Sequence, residues 1–217
     1  MKADMQTATA MKLRGQMYRF FSRVFVLEVN ADLLKAMKTM AFPKTPENTD
    51  FHTGYALLED CLKVLKEDDI IDLEVDYARI FLAAGVAQGL AAFPYESVYT
   101  NKKHLMNQEA GEDVTILYAA KGLRARKDMY KIPNDHAGLE FEYMARLCDA
   151  AAMAAQNGAH DKLDASMLEQ ENFCKAHLKR WILPFCSDVI KYAQTDFYRA
   201  IGTLCRGFIR EEIDLLT

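Results

Sequence analysis

The stretch Pro133-Asn134-Asp135-His136-Ala137-Gly138-Leu139-Glu140-Phe141-Glu142-Tyr143-Met144 puts a histidine and a carboxylate where a helix should show its apolar side. Pro133 followed by a polar residue is a helix-start signal, with Asn134 or Asp135 as the N-cap. At about 100° per residue, His136, Glu140, Tyr143 and Leu147 share one narrow arc, flanked by Leu139, Met144 and Ala151. Glu142, Arg146 and Asp149 point the other way. Polar groups on an apolar face cost free energy unless they are paired or used. Two readings stay open. In one, His136 and Glu140 form a hydrogen-bonded i,i+4 pair that fixes a helix junction. In the other, Asp135 and His136 stand at the mouth of a ligand site at the helix start. The His136/Glu140 spacing also suits one face of a metal site, but two ligands are not a site. His52, His104, His160 and His177 are scattered, so no metal is expected.

Two further segments carry chemistry-bearing side chains. Asp76-Tyr77-Ala78-Arg79-Ile80-Phe81-Leu82 puts Tyr77, Ile80 and Phe81 on one helical face. After a small-residue loop, Phe93-Pro94-Tyr95-Glu96-Ser97-Val98-Tyr99 supplies a rigid turn with an aromatic at its tip. Each of these residues fits ordinary core, and together they also fit an aromatic-lined groove for an extended or helical peptide. Farther on, Phe173, His177 and Trp181 are spaced four and four and end at Pro184-Phe185. A tryptophan on a helical stripe is core, and His177 is expected to be hydrogen-bonded near the helix end. Nothing here makes an enzyme. Ser97 and the cysteines have no nucleophile-elbow context, and there is no phosphate loop or dinucleotide fingerprint. No catalytic residue and no cofactor are expected.

The elements that must position these groups read as helices. Leu13, Met17, Phe20 and Val24 recur at spacings of four, three and four, widened by Phe21 and Phe25. Leu163, Met167, Cys174, Leu178 and Trp181 repeat the pattern, and Phe197, Ile201, Leu204 and Phe208 give it once more. Val98-Tyr99-Thr100 is too short to carry a sheet. The fold class is therefore all-α, one globular multi-helix domain over residues 1–217 with roughly nine to eleven helices. Breaks fall at Phe42–Asp50, Gly85–Tyr95, Lys127–Asn134 and Gln156–Asp161, and Pro184 is expected to end or kink a helix. A hinge at Lys127–Asn134 would permit a domain-swapped homodimer.

Composition narrows the class of function. With 51% hydrophobic residues, the 217-residue chain can bury a sizeable core. Its net charge of −4 comes with only short basic clusters, Lys102-Lys103 and Arg124 to Lys127, so nucleic-acid binding is not expected. The five cysteines form no C-x-x-C pair, which disfavours zinc and disulfides and fits a reducing cytoplasm. Met1 to Lys12 lacks the apolar run of a signal peptide. No stretch of about 18 apolar residues predicts a membrane span.

The Tyr77-to-Phe81 segment, the Pro94-to-Val98 turn, the Pro133-x-Asp135-His136 motif with its Glu140-to-Met144 continuation, and His177-Leu178-x-x-Trp181 occur here in one order. That ordered set resembles the TorD family of redox-enzyme maturation chaperones, over roughly Asp76 to Phe185. The resemblance implies an all-helical cytoplasmic chaperone, not an enzyme. It would bind the twin-arginine leader and immature catalytic subunit of a molybdoenzyme, and hold that subunit for molybdenum-cofactor insertion before export. It implies leader-binding roles for Tyr77, Ile80, Phe81, Pro94, Tyr95, Pro133, Asp135 and His136, with Glu140 as the support that orients His136. Two departures stand out. Many members have Gly-Pro after the phenylalanine, where this chain has Leu82-Ala83-Ala84-Gly85, and many carry tryptophans where Tyr77 and Tyr95 stand here. A different client leader would account for both. The alternatives are a guanine-nucleotide-binding protein, as proposed within the family, and a purely structural helical assembly subunit. A twin-arginine leader offers two guanidinium groups and an apolar stretch. Asp135 and Glu140 are the carboxylates expected to meet the first, Tyr77, Phe81 and Tyr95 to cover the second, and the net charge favours a cationic partner.

Overall fold

The computed structural model describes residues 2–40, 49–82, 84, 89–101, 109–123 and 132–217. The fold is all-α. Its helices are α1 (Lys2–Val26), α2 (Ala31–Lys38), α3 (Thr49–Val64), α4 (Ile70–Phe81), α5 (Glu96–Thr100), α6 (Glu109–Ala120), α7 (Ala137–Gln156), α8 (His160–Phe173), α9 (Lys179–Tyr192) and α10 (Asp196–Leu216). A 3₁₀ turn, Glu67–Asp69, leads into α4, and a π turn, Cys174–Leu178, joins α8 to α9. Among the described residues there is no strand, only an isolated antiparallel bridge between Tyr95 and His136. Val98-Tyr99-Thr100 lies inside α5. No helix among the described residues is long and apolar enough to cross a membrane. The predicted connectors fall partly outside the described residues, at 42–48, 85–88 and 127–131. The last of these holds most of the proposed hinge, and the basic clusters and His104 also lie outside.

The contacts gather the chain into two compact units. Unit 1 comprises Met1–Val26, Tyr95–Arg180 and Leu215–Thr217, and unit 2 comprises Leu27–Pro94 and Trp181–Asp214.

Unit 1 is built on α1 packed antiparallel to α7. Tyr18, Phe21 and Phe25 of α1 surround the fully buried Phe141, with ring centroids 5.8, 6.1 and 6.2 Å away. Burying one such ring contributes about 1.5–3 kcal/mol. Farther along, Met11 meets Ala151 and Ala152, with Leu163 and Met167 of α8 closing over them. Two glycines let the backbones approach. A Cβ on Gly15 would sit 3.3 Å from the Cβ of Cys148, and one on Gly138 would run into the Val26 side chain. The buried face of α1 therefore comprises Ala8, Met11, Gly15, Tyr18, Phe21, Val24 and Phe25. Of the predicted stripe, Phe21, Val24 and Phe25 are buried and Met17 and Phe20 partly so, but its first residue, Leu13, is 58% exposed. Counting outward from the largest apolar residues passed over Gly15, whose missing side chain marks the contact line.

Unit 2 packs α3 on α10, where Gly54 faces Leu204 and Gly207 faces Phe51. Asp50 holds Arg206 (3.1 Å) and also pairs with Arg210. Phe197, Ile201, Leu204 and Phe208 of α10 are all buried, as their spacing predicts. The fixed point of α4 is Asp76, which is 2% exposed. Its Oδ2 accepts from Gln194 N (3.0 Å), Thr195 N (2.8 Å) and Thr195 Oγ1 (2.7 Å). Its Oδ1 pairs with Arg79, which also donates to the Tyr192 carbonyl at 2.6 Å. One carboxylate thus ties α4 to the turn between α9 and α10. Pro184 does not end a helix, because α9 runs through it to Tyr192. The buried Trp181, Ile182, Phe185, Cys186 and Val189 hold the helix on both sides of the missing N–H. All five cysteines are free thiols.

Candidate functional site

The turn that opens α7 is clamped to the start of α5. His136 N–H donates back to the Pro133 carbonyl at 3.3 Å. His136, rather than Asn134 or Asp135, is the N-cap of α7, and its ring Nδ1 accepts from Gly138 N–H at 3.0 Å. The cap falls one or two residues later than the sequence suggests because Asp135 is committed elsewhere. Glu96 N–H donates to the Asp135 carbonyl (2.9 Å), and Asp135 Oδ2 accepts from Ser97 N (3.0 Å) and Ser97 Oγ (2.5 Å). Tyr95, the N-cap of α5, makes no side-chain capping bond. Asp135 thus supplies from a distant segment the acceptor that a helix start requires. Its other oxygen, Oδ1, is buried with no hydrogen-bond donor from the described residues, and a Cβ on Gly111 would lie 3.6 Å from it.

Around this clamp the side chains form a polar and aromatic assembly that runs from the buried interior to the surface. Asn134 donates to Thr115 Oγ1 (2.7 Å), and Tyr118 OH donates to the Asn134 carbonyl (3.2 Å). The Tyr95 ring meets the His136 ring edge-on at 5.1 Å. Glu96, fully buried, holds His177 Nδ1 through Oε2 at 2.8 Å, and its Oε1 lies 3.6 Å from Arg180. Rings then run from Tyr118 to Tyr143, Phe173 and His177 at centroid separations of 5.3, 4.7 and 4.8 Å. Tyr143 OH donates to Glu169 at 2.8 Å, which also binds Lys121.

The electrostatics follow from burial. The His136 imidazole is pushed down to about 3 by desolvation. It is therefore neutral, and with Nδ1 accepting, its proton sits on Nε2. The Tyr118 phenol is held well above its ordinary range, first by burial and then by Glu140, Tyr143, Asp135 and Glu96. Burial and the Asp135 charge also raise Tyr95. A neutral imidazole and sealed carboxylates make a rigid frame rather than a proton-transfer site. Among the described residues, no group of three or more His, Cys, Asp or Glu side chains can hold a metal ion.

The nominated residues fall into two groups. Tyr95, Pro133, Asp135 and His136, with Glu140, belong to unit 1, and Tyr77, Ile80, Phe81 and Pro94 to unit 2. In unit 1, Asp135, His136 and Glu140 are buried, and Tyr95 and Pro133 are partly exposed. His136 and Glu140 are joined by the helical bond from Glu140 N–H to the His136 carbonyl, 3.1 Å. In unit 2, Tyr77 and Phe81 pack on Tyr198 at 6.2 and 5.6 Å, and Phe81 also lies 6.2 Å from Phe185. The Ile80 carbonyl accepts from Ala92 N–H at 2.9 Å, which fixes the chain ahead of the buried Pro94. Sequence reasoning did not single out Glu96, Ser97 or Tyr118. Glu96 carried a signal, as a carboxylate beside a proline–aromatic turn, but its partner lies 81 residues away.

Comparison with known proteins gives a consistent picture. The family model described as "Nitrate reductase delta subunit" matches residues 45–187. The protein called Chaperone protein TorD in Aliivibrio fischeri is 26% identical over 211 residues, covering 94% of each chain. That of Vibrio cholerae serotype O1 (strain El Tor Inaba N16961) is 26% identical over 148 residues, 68% of this chain and 63% of its own. A crystal structure from Archaeoglobus fulgidus, assigned as a redox enzyme maturation protein, shares the fold. Its TM-score is 0.53 at 16% identity, over 91% of this chain and 94% of that one.

Proposed function

The chain belongs to the nitrate reductase delta subunit family, the TorD family of redox-enzyme maturation chaperones, and from that premise we propose that its ligand is the twin-arginine leader of a molybdoenzyme catalytic subunit. It is a chaperone, not an enzyme. In this reading it works in the cytoplasm, where it also engages the immature subunit and holds it for molybdenum-cofactor insertion before export. The observation that carries the reading is the clamp between the Pro133–His136 turn and the start of α5. The α5 start and the α7 start, 38 residues apart through Ser97 and Asp135, are locked into one rigid corner. Two side chains of that corner, Tyr95 and Pro133, reach solvent in part. A preformed edge with an aromatic tip lowers the ordering cost of capturing an extended peptide. Asp135 and His136 then serve recognition by fixing the edge. Tyr77, Ile80, Phe81 and Pro94 would play the equivalent part in unit 2.

The test is a titration of the full chain with twin-arginine leader peptides of molybdoenzyme subunits. Binding at about 1–10 µM is expected, and nothing tighter than about 100 µM, roughly −5.5 kcal/mol, would sink the reading. Tyr95→Ala should weaken binding about tenfold while leaving the thermal midpoint within a few degrees.

A further inference from the structure

The carboxylates expected to meet a guanidinium, Asp135 and Glu140, are both 0% exposed in unit 1. A leader with two guanidinium groups needs acceptors that it can reach. Unit 2 carries such acceptors where α3 gives way to α4. The chain there reads Lys66-Glu67-Asp68-Asp69-Ile70-Ile71-Asp72-Leu73-Glu74-Val75, five carboxylates to one lysine. Asp69, Asp72 and Asp196 rim a cavity of about 200 Å³ whose walls include Cys61, Leu73 and Phe197. That is several times the ~30 Å³ share of one water, enough for one long side chain with an apolar stem and a charged head. Asp69 keeps one oxygen on the Lys66 N–H at 2.7 Å, Asp196 is paired with Arg199 at 2.8 Å, Lys38 donates to the carbonyl of the lining Leu65, and Asp72 is exposed. The Cys61 thiol is pushed up to about 11, first by burial and then by the Asp196 charge.

Beside the cavity, α4 turns an apolar stripe to solvent. Ile71 is 67% exposed, Val75 59% and Leu82, its C-cap, 57%. At about 100° per residue these three share an arc of about 40°, opposite the buried Leu73, Asp76 and Ile80. Single exposed apolar residues are ordinary, but three aligned on one helix face next to a carboxylate-rimmed cavity form a surface of defined chemistry.

We propose that this α3–α4 corner docks the cationic, apolar segment of the client's leader. One arginine side chain enters the cavity toward Asp69 and Asp72, and the apolar stretch lies along Ile71, Val75 and Leu82. The proposal rests on the leader-binding reading above. Charge complementarity selects the occupant, because the corner carries carboxylates in number and a twin-arginine leader carries the matching cations and apolar run. A second cavity, of about 270 Å³ in unit 1 and lined by Asp164, Met167, Leu168, Glu171 and Leu215, serves as the control, a comparable cavity with Glu171 paired with Lys175 and Asp164 as its other carboxylate.

The experiment is fluorescence anisotropy of a labelled twin-arginine leader with the full chain at two salt concentrations, with light scattering on every variant. Asp72→Lys should weaken binding about tenfold and flatten its salt dependence. The double variant Ile71→Ser with Val75→Ser should weaken it by a similar factor. Both variants should stay folded because all three side chains are exposed. Leu168→Ser should bind as the parent does. Parent-like affinity in both corner variants overturns the proposal and leaves leader binding standing. A change in oligomeric state without a change in affinity also overturns it, and assigns the corner to contact between copies of this chain. A parent that binds no leader overturns both readings.

Discussion

Each unit is tied at one corner by a buried aspartate, and the two corners differ in how completely that aspartate is used. In unit 2, Asp76 has both oxygens occupied. Its acceptors take up the N–H groups of Gln194 and Thr195 and the Thr195 hydroxyl, and Arg79 balances the charge. In unit 1, Asp135 gives one oxygen to Ser97 and leaves the other buried without a donor from the described residues. A saturated carboxylate is there to hold helices together. One with spare capacity holds its neighbours and also keeps an acceptor in reserve, beside the partly exposed edge that we propose for recognition. The same pair of residue types, an aspartate followed by an aromatic ring, serves two ends, and only the hydrogen-bond inventory separates them.

The largest effect expected to test this contrast is Asp76→Ala, which strands Arg79 and three donors. It should cost about 3–5 kcal/mol in urea unfolding, and a loss below about 1 kcal/mol would erase the distinction. The asparagine variants sharpen it. Asp76→Asn turns an amide N–H₂ toward existing donors and should cost at least about 2 kcal/mol. Asp135→Asn can keep its carbonyl on Ser97 and place N–H₂ where Oδ1 stood, so a change within about 1 kcal/mol is expected. Equal losses in the two would show that Asp135 is as saturated as Asp76.

Acid should attack the two corners unequally. In the folded protein His136 binds a proton only near about 3, whereas in the unfolded chain it does so near 6.5. The stabilisation is therefore complete above pH 6.5 and declines as pH falls toward 3, by about 1.4 kcal/mol per unit, or roughly 2 kcal/mol between pH 6.5 and 5. His136→Gln should remove that slope in denaturation measured at both pH values, and an unchanged slope would place its source elsewhere. The smallest effect is Gly111→Ala. The added methyl would make an ordinary 3.6 Å contact with Asp135 Oδ1, and the gain in helix propensity should stabilise the protein by about 0.5–1 kcal/mol. Destabilisation beyond about 1 kcal/mol would mean that the space beside Oδ1 is already in use.

Helix identity was legible because the 3.6-residue period survives across α1, α7 and α10, even where the contact line was misjudged. Gly15 and Gly138 reveal their importance only when two helices are laid together, since a missing side chain leaves no hydrophobic mark. Pro184 does not end α9 because its cost is local while the packing of Trp181 and Phe185 that outweighs it is not. Within the candidate site, the polar oddity of Asp135 and His136 was visible at once. What they bind was not, since Ser97 and Glu96 act across 38 and 81 residues. Asp76 lay in plain view ahead of Tyr77 and drew no role, because most of its donors, Gln194 N–H, Thr195 N–H and the Thr195 hydroxyl, come from a turn more than a hundred residues away.

The pairing of α1 with α7 bears on how the protein is made. The face carrying Tyr18, Phe21 and Phe25 finds its ring partner on a helix that ends at Gln156. Roughly 130 residues separate the ends of the two helices, on the order of ten seconds of synthesis. Throughout that interval the nascent chain displays an aromatic helix before Phe141 and the rest of α7 can cover it, so during its own synthesis it is in the position of the immature subunits it is proposed to guard.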